Sequence, residues 1–413
     1  MPLAEYEVTG RIAEGRFGTV FAALHRASGR KVAVKKIRAR KNLPGLDFDP
    51  WFKSAERERD VLTTVKHDNV IELLEHLVEP DSAMAVLVYP YLAWDLATLL
   101  EKKRPLSAGI IKCLMQMFLE GVSFLHHHKV VHRDLKPANL LVDECGQLKV
   151  ADFGSARFLP QPQISSLDTL SVAEDRNCGE VDQLMTRDVC TRWYKAPEML
   201  FGSVTYSQGV DIWAVGCTFA DLLSPSDALF PGGSDLEQLC LIFQALGTPD
   251  EDDWPEVREL PDYPKVSFAK RVPTRPVLEM PIVENVDDSE DAADLLWAFL
   301  RLNPKQRISA AEALVQKFFR GSIPSPEAVV EGLPECGHHQ AETNAGPISP
   351  FGLSEFGSDC SLLSMSGELQ PVAVETTSCG LWEEVGHMEA SEPNRCRTPS
   401  PPRDGIHKFK LKR

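Results

Sequence analysis

The sequence predicts an α+β fold of two lobes, with a small antiparallel β lobe that contains one main helix and a large, mostly helical lobe. Residues Tyr6 to Lys36 alternate apolar and polar side chains between glycines and serines, as antiparallel strands do. The apolar run from Ile110 to Leu125 is interrupted by polar residues at helical spacing, which indicates a buried amphipathic helix. The 413 residues exceed the length of about 250 to 300 residues at which single cores stop growing. We expect the small lobe at 1–91, the large lobe at 92–320 and a disordered tail at 321–413.

The composition excludes several functional classes. The formal net charge of −16 at pH 7 argues against a nucleic-acid partner, because such binders need basic surface to displace counterions from phosphates. The ten cysteines include no Cys-x-x-Cys pair, which favours reduced thiols in the cytoplasm or nucleus. Residues Met1 to Tyr6 have neither the basic flank nor the apolar core of a signal peptide. Lys112, Gln116 and Glu120 interrupt the long apolar run, so we expect no membrane span.

Two glycines mark the turn between the first two predicted strands. Gly15 and Gly18 would let backbone amides approach phosphate groups closely, although Ala13 stands where the full glycine-rich pattern begins with glycine. An ordinary hairpin turn is an equal alternative for this loop taken alone. Lys35, at the end of the run Val32-Ala33-Val34, favours phosphate binding, because a strand lysine after such a loop holds nucleotide phosphates. The alternative for Lys35 is a solvated lysine on an edge strand.

A helix and a buried strand complete the predicted small lobe. After a loop rich in charge, proline and glycine, one apolar stripe predicts a helix from about Phe52 to Lys66. Glu58 lies one turn before that stripe, so we expect it to pair with Lys35; the alternative is a surface charge. Ala85 to Tyr89 predicts a buried strand, and the linker from Pro90 to Asp95 follows it.

The residues around two tripeptides predict phosphoryl transfer. A His-Arg-Asp tripeptide ends at Asp134, and an Asp-Phe-Gly tripeptide begins at Asp152. Phosphoryl transfer needs a carboxylate beside the nucleophile, cations at the phosphates and oxygen ligands for magnesium. Asp134 would orient an incoming hydroxyl, and Lys136 would reach the transferred phosphate. Asn139 and Asp152 would bind Mg²⁺ through oxygen atoms. The alternative, chance loop tripeptides, requires their order and the Lys and Asn offsets to be coincidental.

Further segments carry the pattern of a known family. They are Lys53–Glu58, Thr186–Glu198, and Gly209–Cys217 with Leu246–Pro249 and Trp254-Pro255. From about Tyr6 to Phe319 the chain resembles a eukaryotic protein kinase of the cyclin-dependent kinase group. Four stretches resemble a single branch of that group, namely Tyr206–Asp211, Asp235–Cys240, Glu259–Tyr263 and Lys265–Phe268. That branch is tied to cilium assembly, so the resemblance adds the cilium to the nucleus and cytoplasm as an expected location.

The resemblance implies the two-lobe protein kinase fold and a protein serine/threonine kinase that uses ATP and Mg²⁺ to phosphorylate protein substrates. Thr191-Arg192 resembles the arrangement that shapes the pocket after the acceptor residue, which implies acceptors followed by proline. Tyr89 would be a bulky gatekeeper of the adenine pocket. The catalytic residues implied are Asp134, Lys136, Lys35 and Glu58, and the magnesium ligands are Asn139 and Asp152. The nucleotide contacts implied are Ile12, Ala13, Glu14, Gly15, Arg16, Phe17, Gly18, Thr19, Val20, Ala33, Lys35, Pro90, Leu92, Asp95, Lys136, Asn139, Leu141 and Asp152.

The same resemblance implies a switch on the activation loop, which we place at residues 152–198. An upstream activating kinase would phosphorylate Thr186. Arg57, Arg133 and Arg157 would bind that phosphate through charge-assisted hydrogen bonds. The loop includes an acidic insert at 159–183, for which composition predicts flexibility.

Two departures from the family concern regulation by partners. Glu56 stands where relatives carry an apolar residue that inserts into a cyclin, and burying an unpaired carboxylate is unfavourable. A conventional cyclin activator is therefore doubtful, although Trp51 and Phe52 offer another apolar anchor. Arg16 and Phe17 replace the inhibitory Thr-Tyr pair of relatives, so we expect that brake to be absent.

The remaining expectations concern the large lobe and the tail. Glu198 and Arg307 would form a buried structural ion pair. After about Arg320 the apolar pattern gives way to Pro, Ser, Gly and Glu, which predicts disorder. Thr398-Pro399 and Ser400-Pro401 would be proline-directed phosphorylation sites.

Two alternatives to this function are open at the level of sequence. A mitogen-activated-type kinase would share Arg192, but it would carry a Thr-x-Tyr pair that Thr186-Arg187-Asp188 lacks. A catalytically weak kinase-fold scaffold is the second alternative. Ala13 favours it slightly, whereas Lys35 and the residues of the two tripeptides oppose it.

Overall fold

A five-stranded antiparallel sheet forms the small lobe. The computed structural model describes residues 2–15, 18–38, 50–79, 84–101, 105–159, 192–205, 207–224, 228–272 and 289–332. A short 3-10 helix (Pro2–Glu5) precedes the sheet. The strands are β1 (Tyr6–Gly15), β2 (Gly18–His25), β3 (Lys31–Arg38), β4 (Glu75–Glu79) and β5 (Met84–Pro90), in the order β1-β2-β3-β5-β4. Every neighbouring pair is antiparallel, as the alternating sequence predicts.

The two faces of the sheet have different partners. Successive side chains of a strand point to opposite faces, so Val32 and Val34 of β3 pack in a separate small cluster with valines of β5. Ile37 points to the other face and joins the main core. Helix α1 (Pro50–Thr64) packs against β3 and β5 through that core. It begins two residues before the predicted Phe52, because a proline fits the first turn of a helix.

The large lobe is mostly helical, as predicted. Its helices among the described residues are α2 (Leu96–Glu101), α3 (Ala108–His127), α4 (Pro197–Leu200), α5 (Gly209–Leu223), α6 (Asp235–Leu246), α7 (Ser289–Phe299), α8 (Ala310–Ala313) and α9 (Pro326–Gly332). Short 3-10 helices lie at Pro137–Asn139, Phe153–Ser155, Pro255–Glu259, Tyr263–Lys265, Pro304–Gln306 and Lys317–Phe319. Two small sheets flank the predicted phosphoryl-transfer segments. One pairs β7 (Val130–Val131) with β10 (Arg157–Phe158), and the other has the order β6 (Trp94–Asp95), β8 (Leu140–Val142), β9 (Leu148–Val150).

Helix α3 is the predicted buried helix at the centre of the large lobe. The Ser107 hydroxyl caps its N-terminus by accepting a hydrogen bond from Ile110 N. By length and composition alone α3 could cross a membrane, but most of its residues are buried inside this lobe. Lys112 was expected on a polar face. It is instead buried, with its ammonium 5.4 Å from the centroid of the Phe318 ring, where a cation–π contact favours the charge.

The folded chain extends past the predicted boundary at residue 321. Helix α9 packs against α3, and its Val329 is fully buried. Gly146, in the turn between β8 and β9, lies so close to α9 that a Cβ atom there would be 1.8 Å from the Pro326 carbonyl oxygen. The prediction that the tail begins at 321 was therefore wrong for this helix, because one valine contact creates no apolar periodicity. Residues 333–413, with the predicted tail phosphorylation sites, lie outside the described residues.

Candidate active site

Lys35 joins three elements of the structure. Strand β3 pairs Lys35 with Val20 of β2 and Leu87 of β5, so the edge-strand alternative is wrong. The Lys35 Nζ atom donates to Glu58 Oε2 and to Asp152 Oδ1, each at 2.7 Å. Burial lowers the pKa of Lys35, but the carboxylates of Asp152 and Glu58 more than reverse this, so its pKa lies above the usual value. The predicted pairing of Lys35 with Glu58 is confirmed, and Glu58 is 1% exposed.

Asp152 follows β9 in a backbone conformation that is rare for residues other than glycine. Its φ is 64°, which costs about 1 to 3 kcal/mol and is typical of functional sites. The preceding residue, Ala151, donates from its backbone N to Asn139 O at 2.9 Å, which joins the two predicted magnesium ligands. Burial raises the pKa of Asp152, but the Lys35 ammonium outweighs this and holds it below the usual value. Asp152 is therefore an anion beside a cation.

Asp134 lies against Lys136 and Asn139 in one loop. Lys136 Nζ donates to Asp134 Oδ2 at 3.1 Å, and Asn139 Nδ2 donates to the backbone carbonyl of Asp134 at 2.8 Å. Burial raises the pKa of Asp134 above its ordinary value, and Lys136 opposes that shift only in part. This loop presents a carboxylate and an ammonium side by side, as the sequence predicts.

Asp211 in α5 holds the backbone of this loop, a role that the sequence analysis missed. Its carboxylate accepts hydrogen bonds from His132 N and Arg133 N, each at 2.8 Å. The His126 ring lies 2.9 Å from the same carboxylate. Burial raises the pKa of Asp211, but the hydrogen bond with His126 helps to hold it below the usual value. The quoted runs Gly209–Cys217 and Tyr206–Asp211 both include this residue, but neither carried a sign of a distant backbone partner.

The predicted nucleotide contacts come from the small lobe and the linker. Gly15 pairs with Gly18 at the end of the β1–β2 hairpin, while Arg16 and Phe17 lie outside the described residues. Gly18 has φ 143°, and a Cβ atom there would be 2.3 Å from the Lys36 carbonyl oxygen. Close packing against β3 therefore requires this glycine.

The other contacts lie along the strands and at the linker. On the hairpin Ala13 pairs with Val20 and Glu14 with Thr19, next to Ile12. Pro90 ends β5 opposite Val32, and the half-buried Ala33, Leu92 and Leu141 pack against the main core. Asp95 has a structural partner as well, because its carboxylate accepts hydrogen bonds from the Thr98 backbone and hydroxyl at 2.8 Å.

The three predicted phosphate-binding arginines contact consecutive carbonyls. Arg57 Nε donates to Gly154 O at 3.1 Å, Arg133 Nε to Ser155 O at 2.7 Å and Arg157 Nη1 to Ala156 O at 3.2 Å. The structure thus brings the three guanidinium groups to one short segment. Thr186 and the acidic insert from residue 160 onward lie outside the described residues.

The C-terminal part of the activation loop is fixed to the start of α6. Arg192 donates to Asp235 Oδ1 at 2.6 Å and to Gly233 O at 3.0 Å. The buried Gln238 side chain accepts from Gly232 N at 2.9 Å and donates to Trp193 O at 3.1 Å. Arg192 is therefore held by the first residue of α6 and by the loop that precedes this helix. Its position in the sequence did not indicate these partners. Thr191 lies outside the described residues.

Two further pairs brace this segment. The Tyr194 hydroxyl donates to Asp221 Oδ2 at 2.7 Å, and burial raises the pKa of Asp221 to about 7. Glu198 and Arg307 form the predicted ion pair, with two hydrogen bonds of 2.6 and 2.7 Å between them. Both residues are buried. The predicted structural role of this pair is confirmed by that geometry.

The donor atoms suit a magnesium ion bound with nucleotide. Asn139 uses its Nδ2 atom on Asp134, so its Oδ1 atom is the one that can ligate a cation. Asp152 adds a carboxylate, and oxygen ligands of this kind are those that Mg²⁺ prefers. Among the described residues no group of three or more His, Cys, Asp or Glu side chains could hold a metal. Two protein ligands are typical of Mg²⁺ sites completed by phosphates and waters.

The fold and these contacts define a protein kinase. A strand lysine bound to a helix glutamate and to the aspartate of an Asp-Phe-Gly segment stands beside a loop that carries Asp134, Lys136 and Asn139. A family model described as protein kinase domain matches residues 6–319, the limits predicted for the resemblance.

Comparison with known proteins narrows the class. The chain is 42% identical to cyclin-dependent kinase 20 of Danio rerio over 350 residues, which cover 84% of this chain and 92% of that protein. It is 40% identical to cyclin-dependent kinase 20 of Homo sapiens over 347 residues, 83% of this chain and 91% of that protein. It is 39% identical to cyclin-dependent kinase D-1 of Arabidopsis thaliana over 316 residues, 76% and 71% of the two chains.

The chain belongs to the protein kinase family and, within it, to the cyclin-dependent kinase group. The branch that the four short stretches resemble is cell cycle-related kinase, which is cyclin-dependent kinase 20. The chain is a serine/threonine-protein kinase that uses ATP and Mg²⁺ and acts on protein substrates. These relatives favour the cyclin-dependent group over the two alternatives, a mitogen-activated-type kinase and a catalytically weak kinase-fold scaffold.

Proposed function

We propose that this kinase phosphorylates serine or threonine residues followed by proline, and that phosphorylation of Thr186 activates it. The observation that supports phosphoryl transfer at this site is the Lys35 ammonium, bound at 2.7 Å to both Glu58 and Asp152. The proline preference and the Thr186 switch rest on the resemblance of the activation segment. The contacts of Lys35 fix a buried cation beside Asp152. Bound Mg²⁺ supplies further positive charge that neutralises the phosphates of ATP.

Asp134 is the residue that meets the acceptor hydroxyl. Its carboxylate accepts a hydrogen bond from that hydroxyl and orients the hydroxyl oxygen toward the phosphate of ATP. Lys136, 3.1 Å from Asp134 Oδ2, favours the ionised form of that carboxylate and would contact the transferred phosphoryl group. Asn139 holds the loop through the Asp134 carbonyl and offers its Oδ1 to the metal. These roles follow from charge and position.

Lys35 and Asp152 act on the nucleotide side. Lys35 would bind phosphate oxygens with a side chain that Glu58 keeps in place, and Asp152 would ligate Mg²⁺ with its carboxylate. The adenine and phosphate pocket is lined by residues of the β1–β2 hairpin together with Ala33, Pro90, Leu92 and Leu141.

Activation proceeds through the arginines beside Gly154. A phosphate on Thr186 binds Arg57, Arg133 and Arg157 and thereby orders the loop that carries the substrate pocket. An upstream activating kinase adds that phosphate. Support comes from Arg57 and Arg133, which reach carbonyls 154 and 155 from other elements and so lie close to Arg157 in the same segment.

The activating partner that we propose is a cyclin-like protein that does not insert at position 56. Glu56 is exposed and lines a shallow groove with Phe52, Arg59 and Leu77. A partner that accepts a carboxylate there, and contacts Phe52, fits this surface better than one with an apolar pocket. The nucleus, cytoplasm and cilium are the proposed locations, from the same resemblance.

A peptide assay tests the substrate proposal. The purified full chain, treated with an activating kinase, receives Mg-ATP and either a Ser-Pro peptide or the same peptide with Ser-Ala. We expect about tenfold or greater preference for Ser-Pro, the discrimination that one shaped pocket provides. Asp134→Asn should lower kcat by at least about 100-fold. Equal rates on both peptides would refute the proline preference, and absent transfer would refute the assigned roles.

The loop switch has its own test. Thr186→Ala removes the phosphate acceptor and should lower kcat/KM by about 100-fold, because one to three charge-assisted hydrogen bonds are lost. Thr169→Ala, in the acidic insert of the same loop, is the matched control and should leave the rate unchanged. Equal activity of the two variants would contradict regulation at Thr186.

A further inference from the structure

Tyr89 contacts the same glutamate that holds the nucleotide-binding lysine. It lies next to the end of β5, pairs with Ala33 of β3 and is 7% exposed. Its hydroxyl donates to Glu58 Oε1 at 2.7 Å. The other oxygen of that carboxylate, Oε2, accepts from Lys35 at 2.7 Å. Each oxygen of Glu58 is therefore bound to a different strand of the sheet.

This arrangement fixes helix α1 against the sheet. A carboxylate held at both oxygens, one from β3 and one from β5, can neither rotate nor withdraw without breaking a buried hydrogen bond. Ser54 and Arg57, on the same helix, donate to Gly154 O at 3.0 and 3.1 Å. The helix is thus tied to β3, to β5 and to the segment after Asp152 by contacts within the chain.

Tyr89 is suited to this task by its chemistry. Its side chain is a rigid ring with a single terminal donor, so little conformational entropy is lost when it binds Glu58. Burial, reinforced by the Glu58 charge, raises the pKa of Tyr89 well above its ordinary value, which keeps the hydroxyl protonated as a donor. A hydrogen bond to a charged group is among the stronger ones in proteins.

We propose that Tyr89 is a positioning residue for nucleotide binding. Its hydroxyl holds Glu58, and hence α1, where Glu58 pairs with Lys35, so that Lys35 is in place before any partner protein reaches α1. The proposal rests on the assigned role of Lys35 in binding phosphates. It goes beyond the bulky gatekeeper expected from sequence, because the hydroxyl acts on the helix and not on the adenine.

The test is Mg-ATP binding by the purified full chain without a partner. Tyr89→Phe removes only the hydroxyl. If the competent position of α1 becomes less populated, the apparent Kd rises by the inverse of that population. We expect the Kd and the KM for ATP to rise about tenfold, since loss of a hydrogen bond to a charged group is worth that factor or more. The kcat at saturating ATP should change by less than about threefold, because bound nucleotide restores the competent state.

Two further variants separate this role from simpler ones. Tyr263→Phe makes the same chemical change in the large lobe, where that ring packs 5.3 Å from Phe201, and should leave Kd and kcat unchanged. In a Glu58→Leu background, which has no acceptor for the Tyr89 hydroxyl, Tyr89→Phe should add less than about twofold to the Kd, because both changes then act through one lost contact. Hydrogen exchange of the α1 amides should be faster in Tyr89→Phe than in wild type.

The measured Kd, kcat and Tm of these variants decide whether Tyr89 positions Glu58. A Kd for Tyr89→Phe within about twofold of wild type, or a tenfold effect that persists in the Glu58→Leu background, overturns the proposal. A lower kcat with unchanged KM, accompanied by a lower Tm, would assign Tyr89 a merely structural role. Failure of wild type to transfer phosphate would refute the proposed function separately, because nucleotide binding and hydrogen exchange are measured without turnover.

Discussion

Removal of Arg307 should destabilise the large lobe strongly, and the structure gives the size of the effect. All five N–H groups of its guanidinium are occupied, two by the Glu198 carboxylate and three by carbonyl oxygens. Those carbonyls belong to Gly209, Arg301 and Leu302. The Arg307→Met variant keeps the apolar stem and removes every one of these contacts. It leaves Glu198, 4% exposed, as a buried charge without its cation.

Breaking one side of a buried ion pair costs about 3 to 5 kcal/mol. Because natural domains are stable by only about 5 to 15 kcal/mol, the variant should lose a large share of its stability. At about 2 to 4 °C for each kcal/mol in a domain of this size, we expect Tm to fall by about 6 to 20 °C. Differential scanning calorimetry of the full chain measures it. Removal of both charges, in Glu198→Met with Arg307→Met, should recover much of the loss, since apolar replacement of a whole buried pair is often neutral.

The matched control is an exposed ion pair in the same lobe. Lys305 pairs with Glu256 at the surface, and Lys305→Met should leave Tm nearly unchanged because exposed pairs contribute little. A Tm for Arg307→Met equal to that of Lys305→Met would refute the reasoning. The same conclusion would follow if the double variant were no more stable than Arg307→Met alone.

Three further predictions follow from glycine geometry and from shifted pKa values. Gly146→Ala should detach helix α9 (Pro326–Gly332) from the lobe, because the φ of Gly146 is 82° and the added Cβ would be 1.8 Å from the Pro326 carbonyl oxygen. Limited proteolysis should then cleave the chain on the N-terminal side of residue 332. Asp221 has a pKa of about 7 in the fold against 3.8 ordinarily, so the native state binds its proton more tightly. By linkage this proton contributes about 4 kcal/mol to the unfolding free energy. The contribution should be complete below pH 3.8 and lost as pH rises to about 7. In urea unfolding, Asp221→Asn should therefore show a smaller change of unfolding free energy with pH than wild type. The pKa of Asp134 is raised, and its ionised form is the one that accepts the hydrogen bond from the hydroxyl. As pH is lowered, kcat/KM should therefore begin to fall at a higher pH than it would with an aspartate of ordinary pKa.

Controls make these predictions specific. Gly29→Ala has a similar φ of 68° but no atom within 4 Å of the new Cβ, so it should show only the backbone strain of about 1 kcal/mol or slightly more. Equal proteolysis of the two alanine variants would contradict the close contact at Gly146. An unfolding free energy whose slope between pH 4 and pH 7 is the same in Asp221→Asn and wild type would contradict the buried proton. An acid limb of kcat/KM at the pKa of an exposed aspartate would contradict the buried state of Asp134.

The parts of the site that lie close together in sequence were predictable. Asp134, Lys136 and Asn139 occupy one loop, and backbone geometry limits how far apart such neighbours can be, so residue type and offset nearly define their arrangement. The same holds for the strands of the small lobe, where period-two alternation gives the face of each residue. For Lys35 and Glu58 the sequence supplied the right pair, because each had a pattern of its own.

Other contacts had no local signature. The bond from Tyr89 to Glu58, the hold of Asp211 on His132 and Arg133, and the pairing of Arg192 with Asp235 join residues far apart in the chain. Their existence depends on how helices pack on strands, which residue spacing does not encode. The burial of Lys112 likewise depends on where Phe318 lies.

The sequence by itself determined the kinase fold, its group and the chemical groups of the site, because these follow from residue types at short, fixed spacings. Only the tertiary structure decided that both oxygens of Glu58 are bound, that α9 belongs to the folded lobe and that Arg307 satisfies all its donors. The physical reason is that a hydrogen bond forms only when distant segments bring donor and acceptor within about 3 Å. That distance is set by the packing of the whole domain.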